Sequence, residues 1–252
     1  MLLAIDTSTS AITVALLDQG QVLAESSVVD ARAHGELVAP GIAAVLDQAG
    51  VTAQDVTAVV AGRGPGPFTG LRVGLVTARV FALARSLPLH GLCSLDALAF
   101  AAVVDGRVGG GAGAGADGAG AGADGADAAA EPVEFLVATD ARRKEVYVAS
   151  YRATGDERVV EALTAPAVST PADLAEVRAG RPVVGRGAEL YPDLLGPTVG
   201  PLDVSAAALG RLATLRLDAG EDLSDTTALY LRRPDALTTA ERLARAADKA
   251  AR

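Results

Sequence analysis

A short pattern occurs twice in this chain and narrows its fold more than any other feature. Phe135-Leu136-Val137-Ala138-Thr139-Asp140 matches Leu2-Leu3-Ala4-Ile5-Asp6 in type, an apolar strand that ends on an aspartate. Ile12 and Val14 follow Asp6 at the same offsets by which Val146 and Val148 follow Asp140. Each aspartate thus leads into a second, alternating strand. In the first copy Asp18-Gln19-Gly20 supplies hairpin chemistry and 22–28 returns as a third strand; in the second copy 159–163 does so. A repeated strand–aspartate–hairpin unit predicts an α/β protein of two similarly built lobes.

The most unusual stretch lies between the copies. A strand pattern at 58–61 runs into Gly62-Arg63-Gly64-Pro65-Gly66-Pro67-Phe68-Thr69-Gly70, and a helix pattern follows to about Ser86 with Thr69 as its expected cap. Glycines before a helix N-terminus invite a phosphate-loop reading. Pro65 and Pro67 lack N–H groups, however, and no Gly-Lys-Ser/Thr follows. The better reading is a rigid loop, built on Gly64, Pro65, Gly66, Thr69 and Gly70, that presents the helix behind it. That helix carries two apolar stripes, Leu71, Leu75, Ala78 and Ala82 on one side and Val73, Val76 and Val80 on the other. One stripe suffices for a sheet, so the second is available to a partner or to a larger core. Upstream, Leu37, Ile42, Val45, Leu46 and Ala49 recur at helical spacing between His34 and Gly50, with Pro40 marking a kink or a later start.

Downstream, 87–92 reads as a strand and Ser94 as the cap of a helix over 95–104. Every residue from 109 to 130 is Gly, Ala or Asp, a composition with no large apolar side chain to offset ordering entropy. The expected organisation is a first lobe at 1–104, an insertion at 105–131, a reduced second lobe at 132–235 and a charged helical tail at 236–252. Within the second lobe, Thr170-Pro171 opens a helix to about Ala179, 182–185 is a strand and 204–219 a longer helix. The chain carries 22 basic and 31 acidic residues, a net charge of −9. A protein dedicated to gripping nucleic-acid phosphates is more often basic, so contact with RNA is expected to be indirect. No uncharged apolar run is long enough to cross a membrane, the amino terminus has no basic leader, and Cys93 is the only cysteine. A cytoplasmic protein fits best.

Chemistry is sparse. His34 and His90 are the only histidines and fall on different expected elements, so no helical pair with metal spacing exists. Cys93 sits among leucines like a core thiol, and no nucleophile elbow is present. Asp6 with Thr7 and Ser8, and Asp140 in the second copy, are the candidates for facing a nucleotide and its magnesium; a polar turn bonding its own backbone is the alternative.

Asp6-Thr7-Ser8, the 62–74 loop, Ser94-Leu95-Asp96-Ala97-Leu98, Asp140-Ala141-Arg142 with Glu145-Val146-Tyr147, and Tyr230-Leu231-Arg232 together resemble the TsaB (YeaZ) family. Its members serve in making threonylcarbamoyladenosine on tRNA. The resemblance spans residue 1 to about 235, departing at Pro67, where the family usually has Ser, and in the insertion. It implies the two-lobed architecture of actin, Hsp70 and the sugar kinases, and no catalytic or metal-binding residues. The stretch 88–98 aligns with the metal-binding stretch of the catalytic sibling TsaD, and Ser94 and Leu98 stand at its two ligand positions. It further implies a heterodimer with TsaD, an added ATPase, TsaE, and ATP or ADP with magnesium only in the complex. Self-association of the isolated subunit as a homodimer through the same apolar helices is a further alternative. The partner face would comprise Leu71, Arg72, Leu75, Val76 and Arg79 with Leu37 and Val45. The competing reading is an independent kinase-like or metalloprotease-like enzyme.

Overall fold

Alternation places Leu3 and Ile5 on one side of the first strand and Ala4 on the other, and both sides are buried. The computed structural model describes residues 1–108, 132–154 and 160–232. Of the expected segments, most of the insertion and the tail at 236–252 lie outside these residues.

The first sheet has the order β3-β2-β1-β4-β5, formed by β1 (Leu2–Asp6), β2 (Ala11–Asp18), β3 (Gln21–Val29), β4 (Ala58–Gly62) and β5 (Leu89–Leu92). β1 pairs antiparallel with β2 and parallel with β4, with Asp6 opposite Thr13. One face is covered by α1 (His34–Gln48) and α2 (Phe68–Arg85). There Leu3, Ile5, Val14 and Leu16 meet Val38, Val45, Leu71 and Leu75. α1 begins at His34 and continues through Pro40, so Pro40 marks no later start.

The second sheet has the order β10-β6-β7-β8, from β6 (Val133–Asp140), β7 (Val146–Ala153), β8 (Val160–Ala162) and β10 (Val183–Val184). β9 (Ala167–Ser169) pairs with the other end of β7. The third strand of this unit is therefore two short pieces, of which only the first is legible in the sequence. Three short helices, α4 (Pro171–Arg178), α5 (Arg186–Leu190) and α6 (Pro192–Leu195), complete this half, and Leu174, Ala188 and Leu195 from them pack with Leu136, Ala138 and Val146.

α3 (Ser94–Val104) lies between the two halves. All but two of its residues are buried, as expected of a helix apolar on every side. Its leucines join Ala4 and Val60 of the first sheet and Phe135 and Val137 of the second in one core. α7 (Ala206–Asp218) is capped by Ser205, whose hydroxyl accepts from Ala208 N at 3.1 Å. It packs on β1 and β2, not on the second sheet. The expected second lobe at 132–235 therefore includes a helix that serves the first, because Leu209, Leu212 and Ala213 cover the face of β1 and β2 that α1 and α2 leave open.

Candidate functional site

Asp6, Thr7 and Ser8, at the end of β1 and the start of the turn after it, are buried and hydrogen-bonded. One carboxylate oxygen of Asp6 accepts from Ser8 N at 2.8 Å and from the Ser8 hydroxyl at 2.7 Å. The other accepts from the Ser94 hydroxyl at 2.5 Å, and Ser94 in turn accepts from Gly64 N at 3.1 Å. Thr7 donates to Gly70 O at 2.6 Å and accepts from Gly74 N at 2.9 Å. The glycine-proline loop is thus held at one end through Ser94 to Asp6, and the start of α2 behind it is held by Thr7. Close approach requires glycine at two places. A Cβ at Gly62 would overlap the Asp6 carboxylate, and one at Gly66 would overlap the Ser8 carbonyl. Burial pushes the Asp6 carboxyl above its ordinary range, against the hydrogen bonds from Ser94 and Ser8 and the charge of His34, which pull it down.

This geometry revises several expectations. Ser94 is no cap, since its hydroxyl is used by Asp6 and Gly64 and α3 has no side-chain cap at all. Thr69 is likewise inside α2, whose N-cap position is Pro67. Asp6, Thr7 and Ser8 are 1–2 % exposed, and their polar atoms are bonded within the chain. Asp140 does reach the cleft between the halves, together with Thr9, Ser10, Thr139, Arg142, Arg186 and Asp203. It bonds Arg142 at 3.0 Å, and Arg186 pairs with Asp203. The space left is about 10 Å³, enough for a water and too little for a nucleotide. Asp6 is not among the residues that line this space.

The two stripes of α2 separate except at Val73, which is half-buried against the same core as the inner stripe. Leu71, Leu75, Ala78 and Ala82 are buried against the sheet, and Val45 of α1 is 0 % exposed. Leu71, Leu75 and Val45 therefore belong to the protein's own core and cannot form a partner face. Leu37 is half-buried on the same core. Val76 is 46 % exposed, Val80 60 % and Leu83 81 %, so the outer stripe is the one available. Of the arginines expected there, Arg72 stands 5.7 Å from the Phe68 ring centre. Arg79 donates to Thr226.

Thr226 belongs to an extended segment after α7 that the sequence pattern does not reveal. It returns along the first half: Gly91 N donates to Leu223 O, Arg63 pairs with Asp225, and Leu229 N donates to Arg63 O. It then crosses to the second half, where Arg232 bonds Ala141 O at 2.7 Å and Glu145 at 2.8 Å. On the way Tyr230 meets Phe68 with ring centres 5.1 Å apart. Between this segment, the start of α2 and the β6–β7 turn opens a pocket of about 640 Å³, lined by Pro67, Phe68, Tyr147, Leu231 and three arginines, Arg142, Arg143 and Arg232. Phe68 and Tyr147 are site residues that pattern reasoning passes over. For Phe68 the available signal is a scarcity argument, since the chain has only 8 Phe and Tyr residues and an exposed one has no role in the core; Tyr147 is itself buried.

Nucleophilic and acid–base candidates find no such setting. His34 makes its ring contact with Thr9 O at 3.1 Å. Burial lowers the His90 imidazole below its usual range and pushes the Cys93 thiol up to about 12, which keeps it protonated and unreactive. Among the described residues no three His, Cys, Asp or Glu side chains come together as a metal site. None of the described helices is long and apolar enough to cross a membrane.

Residues 21–109 match the family described as TsaD: tRNA N6-adenosine threonylcarbamoyltransferase. An uncharacterized protein of Mycobacterium tuberculosis is 37% identical over 237 residues, 93% of this chain and 92% of that protein. The tRNA threonylcarbamoyladenosine biosynthesis protein TsaB of Escherichia coli is 39% identical over 98 residues, 39% of this chain and 42% of that protein. The crystal structure of YeaZ from Pseudomonas aeruginosa superposes with a TM-score of 0.69 at 27% identity, covering 91% of this chain and 99% of that one. Taken with the glycine-proline loop seated on Asp6-Thr7-Ser8, these likenesses place the chain: it belongs to the TsaB (YeaZ) family.

Proposed function

We propose that this chain is a non-catalytic subunit that pairs with a TsaD-type protein and supports transfer of a threonylcarbamoyl group to the tRNA adenosine beside the anticodon. The observation that carries this reading is the outer stripe of α2. Val76, Val80 and Leu83 are apolar, aligned and exposed, on a helix whose inner face is already anchored in the core. An apolar face of this kind on a folded subunit suits a partner better than water. Helices α1 and α2 lie side by side on the sheet, so two helices from each subunit can form a four-helix contact. On this reading the duplicated strand–aspartate unit marks descent from the two-lobed actin and sugar-kinase architecture. The site of action is the cytoplasm, with a TsaE-type ATPase joining the pair.

Val76→Glu and Leu83→Glu each place a charge on the exposed stripe without entering the core. Each is expected to weaken co-elution with the TsaD-type partner by about tenfold or more while leaving the thermal transition in place. Leu75→Glu is not an equivalent test, because Leu75 is core. Undiminished co-elution of both outer variants refutes the proposed face. Reconstituted tRNA modification that proceeds equally well without this chain refutes the supporting role.

A further inference from the structure

The arginines of the 640 Å³ pocket at the start of α2 are all engaged. Arg142 pairs with Asp140 and Arg232 with Glu145, Arg143 has a partner as well, and Arg72 stands over the Phe68 ring. What the pocket still offers is apolar: Pro67, Phe68, Ala141, Tyr147, Tyr230 and Leu231 line it. The Tyr147 hydroxyl already donates to Gly66 O at 3.2 Å. Phe68 is 58 % and Tyr230 48 % exposed, and no other Phe or Tyr is as open. Two neighbouring rings left in water are a large apolar surface with nothing of the described chain to cover it.

The pocket is also the amino-terminal end of the outer face of α2. Phe68, Arg72, Val76 and Val80 follow one another at four-residue spacing, and Leu83 falls within the same arc of the helix. The segment after α7 runs beside this face in the opposite direction, with Thr226 bonded to Arg79 and Tyr230 against Phe68. An extended chain from 226 to 230 covers about 13 Å and a helix from 68 to 79 about 16 Å, so the two form matching walls. Both walls are fastened. Thr7 holds Gly70 and Gly74 of α2, while Arg63 O and Glu145 hold Leu229 and Arg232. The pocket is therefore formed before anything binds.

We infer that this pocket anchors the partner contact: one or two large apolar side chains of the TsaD-type subunit, from the segment that lies against α2, are seated among Phe68, Tyr230 and Leu231. Aromatic residues around a preformed pocket are where binding energy concentrates, and a volume of this size takes a small cluster of side chains. A nucleic acid fits less well, since its phosphates need cations that are not already paired. The inference rests on the reading of the α2 face as the partner contact and adds where on that face the affinity resides.

The test uses the full chain and the TsaD-type protein of the same organism, with affinity read by titration calorimetry. Phe68→Ala and Tyr230→Ala should each weaken binding about tenfold, and Leu231→Glu at least as much. Phe68→Leu, which keeps an apolar side chain, should stay within about threefold of the parent. The losses should be equal at about 0.1 M and about 1 M salt, because an apolar contact is not screened. Cys93 is protonated and unreactive, so Tyr230→Cys carries one reactive thiol, and saturating partner should slow its labelling by a maleimide. Parental affinity of both alanine variants, losses that vanish at high salt, or equal labelling in the complex overturns the proposal. Self-association of the isolated chain that Phe68→Ala abolishes, with partner affinity unchanged, assigns the pocket to a second copy and overturns it too. If Val76→Glu and Leu83→Glu weaken the complex and the pocket variants do not, the anchor falls and the α2 face stands.

Discussion

Asp6 and Asp140 end equivalent strands of a repeated unit, and their surroundings have gone in opposite directions. Asp6 is sealed beneath a glycine-proline loop and bonded on both oxygens by Ser8 and Ser94. Asp140 stays partly open, its carboxylate shared between Arg142 N at 2.7 Å and the Arg142 side chain. The first copy has become a fastening for α2, and the second a base for a cationic turn. A motif that serves a phosphate in one protein can therefore persist as construction in another, and only the neighbours reveal which.

The largest break in this contrast is expected at Gly62. Gly62→Val drives a side chain into the Asp6–Ser94 bond, with no flexible neighbour able to yield. The expected loss is about 3 kcal/mol, read as a lower urea midpoint with the slope preserved. A change below about 0.5 kcal/mol would show that the fastening is dispensable.

A smaller effect is expected from pH at Asp6. Because burial raises the folded-state Asp6 pKa, the native protein holds this proton at pH values where the unfolded chain, at about 3.9, has released it. The Asp6 contribution is therefore full below the unfolded pKa and is lost as pH rises through the folded value. Urea unfolding of Asp6→Asn across pH 4 to 7 should show a shallower decline than the parent chain; parallel profiles would contradict the assignment. Smallest of all is Asp140→Ala, whose ion pair is partly exposed and screened. It is expected to cost less than about 1 kcal/mol in the same measurement, and a larger loss would erase the difference between the copies.

The repeated strands are legible because each alternates over a buried face, and α4 because Thr170 announces it. Ser94 is misleading for the same reason. A serine before an apolar run reads as a cap, whereas its hydroxyl is claimed by an aspartate far away in sequence. Both stripes of α2 are visible in the sequence, but which one faces the sheet depends on β1 and β4, so Leu71 and Leu75 are read as partner residues when they are core. The segment after α7 has no periodicity at all. Its order comes from Arg63, Arg79 and Glu145, three side chains on three separate elements.

The placement of α7 has a consequence for how the chain is made. Ala4, Ala15, Leu17 and Val60 lie in one core with Leu209, Leu212 and Ala213, residues that leave the ribosome long after the strands they cover. Until then one face of the first sheet lacks part of its cover, and completing it means closing a long loop. The first half is thus not an independent folding unit: a chain stopped after α3 exposes an apolar sheet face to other chains.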